Sequence, residues 1–297
     1  MVGQEDRLDV LADDGAGLVV RRRPQRGAPR LLFCHGNGFA IDGYRVFWEQ
    51  FAADYELVRF DLRNHGINPC GPRAGHSLAA MARDFRVLRA AIDDAFGTRP
   101  TVAVFHSVSS IAAVRASLEY GVGWEALVLL DPPLIPDEGH PLRDRAQKVD
   151  AFLAAFARNR PGSFERLEAL AERFRSQVGE QWVAGSELEM ARAVTRPRGD
   201  GGFDLCCPPE YEAGIYLDNA RFDSASALSS LNQPGLVVGS DPGLARALPS
   251  AIFGPEVAAS HGIEHVIVPG TRHMLPIEKP AAVAAVVRDF LADVGVR

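Results

Sequence analysis

Short, nearly unbroken apolar runs separated by amphipathic stretches most limit the folds open to this 297-residue chain. The runs are "RLLFCHG", "YELVRFD", "TVAVFHS", "ALVLLDPP", "PGLVVGSD" and "IEHVIVPG". A strand of this kind has no polar side to show to water, so helices must cover it on both faces. The stretch "HSLAAMARDFRVLRAAIDDAFG" supplies such a helix. Ser77 can cap it, and Met81, Phe85, Leu88 and Ile92 recur three or four apart on one face. The pattern predicts βαβ units and an α/β fold with a mostly parallel sheet, helices on both faces. A hairpin around Asp13-Asp14-Gly15 is expected to precede it.

The rhythm breaks after Pro133. "RDRAQKVDAFLAAFARN", "SFERLEALAERFRSQV" and "ELEMARAVTR" read as helices, "RPRGDGG" as a loop, and "FDLCCPPEYEAGIYLDNARF" fits helix or strand. No buried strand is expected there. The predicted organisation is a core of residues 1–133 and 233–297, interrupted by a helical insertion over 134–232. Because the insertion leaves one strand end and returns before the next, it is expected to overhang that sheet edge as a lid. Trp182, Tyr211 and Tyr216 are candidates for a substrate pocket beneath it.

Composition narrows the partners. The chain is 47% hydrophobic and 24% charged, with a formal net charge of −6. Nucleic acid or an anionic membrane would call for a basic face, and the run Arg21-Arg22-Arg23 reads as a solvated strand edge. No apolar stretch reaches the roughly 18 residues of a membrane span, and "MVGQEDRLDV" lacks a signal-peptide core. Cys34, Cys70, Cys206 and Cys207 show no C-x-x-C spacing. A cytoplasmic protein acting on a small molecule is expected, without nucleic acid or membrane as partner; a homodimer stays open. Lysine occurs only at Lys148 and Lys279 against abundant arginine, the usage of a GC-rich bacterial genome.

In an open α/β sheet, ligands bind beyond the carboxyl ends of the strands. Here those ends carry "HGNGF" (35–39), "HSVSS" (106–110), "DPP" (131–133), "GSDPG" (239–243) and "GTRHM" (270–274). Ser107 stands where an apolar run turns straight into a helical pattern. It could cap that helix, or it could be a nucleophile on a tight strand-to-helix turn. No dinucleotide or Walker glycine pattern appears, so no cofactor and no metal are expected.

Taken together, these motifs resemble the α/β-hydrolase family over the whole core. "HGNGF" is similar to its His-Gly oxyanion loop, "FDLRNHG" to its Asp-x-Arg-x-His-Gly turn, and "FHSVSS" to its nucleophile elbow. "GTRHMLPIEKP" is similar to the segment with its catalytic histidine. Phe105 and Ser109 depart from the elbow, standing where that family commonly has glycine. The resemblance implies a Ser107 nucleophile, His273 as base, and an acid between them in sequence. Asp241 is the preferred acid, since it follows the strand after the insertion; Asp131, before the insertion, is the alternative. The resemblance also implies an oxyanion hole from the backbone amides of Asn37 and Val108. His35 and His65 are expected to brace loops. An asparagine after His-Gly also occurs in haloalkane dehalogenases, but those need an aspartate nucleophile where Ser107 stands.

The implied activity is a serine hydrolase with a helical cap, acting on a carboxylic ester, lactone or thioester. C–C hydrolysis, lyase or cofactor-free oxidative chemistry use the same fold. So does a receptor with little turnover.

Overall fold

The computed structural model describes residues 5–177, 181–245 and 247–296. The N-terminal "MVGQ" and Val178, the last residue of the helix expected over "SFERLEALAERFRSQV", lie outside the described residues. The chain opens with β1 (Asp6–Leu11) and β2 (Gly17–Arg23), an antiparallel hairpin turned at Gly15 with φ +82°. Then come β3 (Arg30–Cys34), the short α1 (Arg45–Trp48), β4 (Glu56–Phe60), α2 (Leu78–Phe96), β5 (Thr101–His106), α3 (Val108–Tyr120) and β6 (Ala126–Leu130).

The sheet resumes with β10 (Gly235–Gly239), α9 (Pro249–Ser260), β11 (Glu264–Ile267), α10 (Leu275–Glu278) and α11 (Pro280–Asp293), after elements described below. The eight strands lie in the order β1-β2-β4-β3-β5-β6-β10-β11. From β4 to β11 every pairing is parallel.

Successive residues of a strand point to opposite faces, so each apolar run feeds two cores. Leu31 and Phe33 of β3, with Val102 and Val104 of β5, pack against Val283, Val287 and Leu291 of α11. Leu32 and Cys34, with Ala103 and Phe105, pack against Met81, Phe85 and Leu88 of α2. That double coverage is why the runs lack polar alternation. α2 begins as expected, with the Ser77 hydroxyl accepting the Ala80 N–H at 3.1 Å. α3 ends at Gly121 in the left-handed region, φ +63°, which glycine adopts without a Cβ penalty.

Between β6 and β10 lie α4 (Arg143–Arg158), β7 (Ser163–Phe164), α5 (Leu167–Gln177), α6 (Ser186–Ala193), β8 (Thr195–Pro197), β9 (Phe203–Leu205), α7 (Pro209–Asn219) and α8 (Ser224–Ala227). The expected helices are present. The expectation of helices and loops alone is corrected: β7, β9 and β8 form a small antiparallel sheet, with "RPRGDGG" as a hairpin turn. These strands are two or three residues long and only partly buried, so they carry no apolar run.

The inserted segment is tied to the core at several points. The Asn37 side chain donates to the Glu212 carbonyl at 2.9 Å, and Asn219 donates to the Pro133 carbonyl at 2.9 Å. The Leu78 N–H at the start of α2 donates to Asp218 Oδ2 at 3.1 Å. Among the described residues, no helix is long and apolar enough to cross a membrane.

Candidate active site

Ser107 sits between β5 and α3 with φ +56° and ψ −125°. A non-glycine residue there is strained, and the strain is of the kind that lifts a nucleophile off a strand-to-helix turn. Its hydroxyl does not cap α3. The turn is secured from behind, where Ser109 Oγ donates to the His106 carbonyl at 2.8 Å and Ser110 Oγ to the Phe105 carbonyl at 2.7 Å. Phe105 stands where glycine is common because its ring points away from the turn. It packs among Phe60, Phe85 and Trp124, with ring centroids 5.1–5.9 Å apart.

His273 lies in the loop between β11 and α10. Its Nε2 is 2.9 Å from Ser107 Oγ, and its Nδ1 is 2.7 Å from Asp131 Oδ2. Asp131, 2% exposed, comes directly after β6 with φ +42°. Its other oxygen accepts the Ser240 N–H at 2.9 Å. Both carboxylate oxygens are therefore engaged, which fixes the plane of the group and the ring it holds. Because the acceptor at Nδ1 is a carboxylate, the Nδ1 position carries the proton and Nε2 is left to accept from the serine.

This corrects the preference for Asp241. Asp241 does not reach His273. Its Oδ2 accepts the Gly270 N–H at 2.7 Å and its Oδ1 the Gly243 N–H at 2.8 Å. These backbone donors hold its carboxyl below the usual range and spend it on a turn. The end of β10 serves the acid in another way, through the Ser240 N–H on Asp131.

The loop after β3 packs directly on the elbow. A Cβ at Gly36 would lie 3.0 Å from Ser107 Cβ and 3.0 Å from His106 Nδ1, so any larger residue would have to push the elbow or the loop by a few tenths of an ångström. The Gly38 N–H donates to His65 Nε2 at 3.1 Å, and the Leu62 N–H donates to His35 Nε2 at 3.1 Å. These histidines are loop braces. Among the described residues, no protein acceptor takes the Asn37 N–H. Val108 opens α3, where an N–H has no helical carbonyl to meet. The Asn37 side chain faces the inserted segment through the Glu212 carbonyl.

A cavity of about 350 Å³ lies between the strand ends and the inserted segment. Ser107, Val108, His273 and Phe39 line it from the core, and Asp150, Leu153, Phe174, Ile215 and Tyr216 from the insertion. Of the three aromatic candidates, Tyr216 alone is in this lining. Trp182 is one layer back, 6% exposed and stacked on Phe174 with ring centroids 5.7 Å apart. Tyr211 turns away, donating its hydroxyl to the Gly71 carbonyl at 3.0 Å and packing on His76. The residue that sequence reading missed is Asp150. It lies mid-helix in a polar-looking stretch, and only the packing of α4 on α7 reveals that it faces the cavity.

Among the described residues, His65, His76 and Cys207 bring ligand-type atoms within 4.8 Å of one another. Both His65 nitrogens are already hydrogen-bonded, to the Gly38 N–H and the Arg63 carbonyl. Burial and the charges of Arg63 and Arg73 push the His76 pKa down to about 3. The group fits a packed brace better than a cation site.

Residues 31–286 match the model of a family described as the alpha/beta hydrolase family. No curated protein matches the chain by sequence. Among solved structures, an E-2-(acetamidomethylene)succinate hydrolase is similar with TM-score 0.76 and 19% identity, over 97% of this chain and 100% of that one. The thioesterase domain from the curacin biosynthetic pathway gives 0.72 and 19%, over 96% and 100%. A thermophilic esterase from Thermogutta terrifontis gives 0.68 and 21%, over 97% and 99%. At such identities the likeness is one of fold.

Proposed function

The chain belongs to the alpha/beta hydrolase family, and on that premise we propose that it is a serine hydrolase cleaving a small carboxylic ester or thioester through an acyl-enzyme on Ser107. The observation that carries this reading is the unbroken path from Ser107 Oγ through the His273 ring to the buried Asp131 carboxylate, at 2.9 and 2.7 Å.

The chemistry rests on those contacts. A serine hydroxyl is a weak nucleophile, so its proton must leave as it attacks. His273 Nε2 is within reach to take it. The imidazolium that forms is stabilised by Asp131, whose charge is screened little because the group is buried. The carbonyl oxygen gains charge as the tetrahedral centre forms, and the Asn37 and Val108 backbone N–H groups are our candidates to receive it. The proton on Nε2 then passes to the leaving alcohol or thiol. In the second half, His273 takes a proton from water, the hydroxide attacks the acyl carbon, and Ser107 is released with its proton restored. The inserted segment over 134–232 acts as a cap that closes the cavity and keeps it mostly apolar.

Free cysteines at positions 34, 70, 206 and 207 suit a reducing compartment, which supports a cytoplasmic setting. The test is labelling with a fluorophosphonate probe. Stoichiometric modification at Ser107 that is lost in Ser107→Ala, together with loss of p-nitrophenyl ester turnover, is expected. A folded protein that resists the probe, or a Ser107→Ala variant that retains turnover, overturns the proposal.

A further inference from the structure

Asp150 is 4% exposed, sits in the middle of α4, and lines the same cavity as Ser107 and His273. One donor reaches it. Asn219 Nδ2, itself anchored on the Pro133 carbonyl, donates to Asp150 Oδ2 at 2.8 Å. The second oxygen has no donor among the described residues, and no lysine, arginine or histidine among them pairs with the group.

Three further carboxylates line the cavity, and each has a partner. Glu212 pairs with Arg160, Asp241 accepts two backbone N–H groups, and Glu278 accepts the Arg272 N–H on one oxygen and leaves the other without a partner among the described residues. Asp150 brings an acid without a paired cation to a stretch of wall that also carries Ala146, Val149, Leu153 and Ile215; Arg160 and Arg173 line the cavity too, but Arg160 is paired with Glu212 and Arg173 lies over the Phe156 ring. A carboxylate buried among apolar groups with one amide partner is costly unless a cation joins it. Burial pushes the carboxyl up to about 7, against the opposing pull of Asn219 and His273. The phenol of Tyr216, on the facing helix α7, feels the Asp150 charge and lines the same cavity. A carboxylate beside an aromatic ring is the pairing that favours an organic cation.

We propose that Asp150 is a subsite for a protonated amine, so that the preferred substrate is an ester or thioester that also carries an ammonium group. The proposal rests on the hydrolase reading above for the bond that is cleaved, and on Asp150 for what is recognised. The ammonium takes the free carboxylate oxygen, while the acyl carbon lies at Ser107. Asn219 holds the carboxylate in place and does not compete for that oxygen.

The test compares two p-nitrophenyl esters of equal length, 6-aminohexanoate and heptanoate, in the native protein and in Asp150→Asn. The asparagine oxygen can still accept from Asn219, so the fold is kept. The native protein is expected to favour the amino ester, and the variant to lose that preference by about tenfold or more, mainly through KM. Heptanoate turnover should change less than amino-ester turnover, so that the ratio of the two reads the subsite. Binding of hexylammonium and of hexanol, measured by calorimetry in both proteins, reads the subsite without turnover. Hexylammonium binding should weaken in the variant by about tenfold or more, and hexanol binding should not change. Equal amino-ester preference and equal hexylammonium binding in the two proteins overturn the subsite. Tighter binding of hexanol than of hexylammonium by the native protein also overturns it, assigning Asp150 as a neutral donor. Hexylammonium binding that depends on Asp150 with no ester turned over would instead sink the hydrolase reading and leave the subsite standing.

Discussion

Tyr44 Oη and His106 Nδ1 lie 2.8 Å apart, and this contact joins the loop after β3 to the segment that carries His273. Tyr44 Oη accepts the Gly36 N–H at 3.2 Å, and His106 Nε2 donates to the His273 carbonyl at 2.8 Å. The directions are determined throughout. A carbonyl can only accept, so His106 carries its proton on Nε2, and Nδ1 accepts from the tyrosine. Burial and the neighbouring His273 keep His106 neutral, as this pattern requires. One path of three hydrogen bonds thus connects the loop after β3 to the backbone of His273, the proposed base. Tyr44→Phe removes the middle of that path without changing volume much. We expect the fold to persist and kcat to fall by about tenfold, with KM changed little. Steady-state kinetics at saturating ester check this; an unchanged kcat would show the path to be idle.

Asp131 and Asp241 should separate cleanly. Asp131→Asn keeps an oxygen for the Ser240 N–H but loses the charge that orients His273, so kcat should drop by up to about 10⁴-fold. Asp241→Asn should leave turnover nearly intact and lower stability only slightly, through the weakened turn contacts to Gly243 and Gly270. Kinetics and denaturant unfolding on both variants decide the matter.

Gly36→Ala drives a methyl group to 3.0 Å from Ser107 Cβ. Either the loop or the nucleophile must give by a few tenths of an ångström, less than the roughly 1 Å misplacement that costs about 10²-fold in rate. A variant that melts near the native temperature but reacts with the fluorophosphonate probe about tenfold more slowly is the expected outcome.

Arg63 is buried and spans three pieces of chain. It pairs with Asp84 of α2 at 2.5 Å, with Asp14 of the hairpin at 2.7 Å, and donates to the Gly75 carbonyl at 2.6 Å. Arg63→Ala leaves Asp84 buried without its cation, which should cost about 3–5 kcal/mol. Urea unfolding of the two proteins measures the difference, and a loss under about 1 kcal/mol would contradict this role.

Asp150 makes a pH-dependent prediction. Its carboxyl, near 7 in the folded state, titrates close to 4 when unfolded, so between those values the folded chain holds the extra proton. Stability must then fall as pH rises through this window, by on the order of 4 kcal/mol at its upper end. Asn219 and Tyr216 on α7 and His273 on the opposite wall are the polar and titratable groups that bear on it. Asp150→Asn has no such penalty. Its melting temperature should match the native protein near pH 4 and exceed it increasingly up to pH 8. A difference that does not vary with pH would refute the assignment.

The sheet and the strand-end residues were legible because parallel strands covered on both faces must be apolar throughout. The polar residue at the carboxyl end of each strand then stands out. Ser107 and His273 were singled out in this way, and the structure places them 2.9 Å apart. The carboxylate that meets His273 was named only as the alternative, because both β6 and β10 are followed by an aspartate before proline, and sequence cannot say which one turns inward. Two backbone N–H groups close on Asp241, and one N–H plus an imidazole close on Asp131. The small sheet of β7, β8 and β9 left no signal, since strands of two or three residues have no period to read. Trp182 and Tyr211 were drawn by residue type toward a pocket that their neighbours do not allow them to enter.

In the proposed triad the loop after β10 supplies no reacting side chain; it meets Asp131 through the Ser240 N–H and the His273 loop through Asp241 and the Ala245 carbonyl. Leu244, Ala245 and Leu248 in that loop line the cavity without touching a reacting atom. A change there can reshape the room for substrate while the serine, imidazole and carboxylate keep their spacing. On the proposed function, the side chains that react and those of this loop that shape the cavity are different residues. Drift in the second can alter what enters without first disabling what reacts.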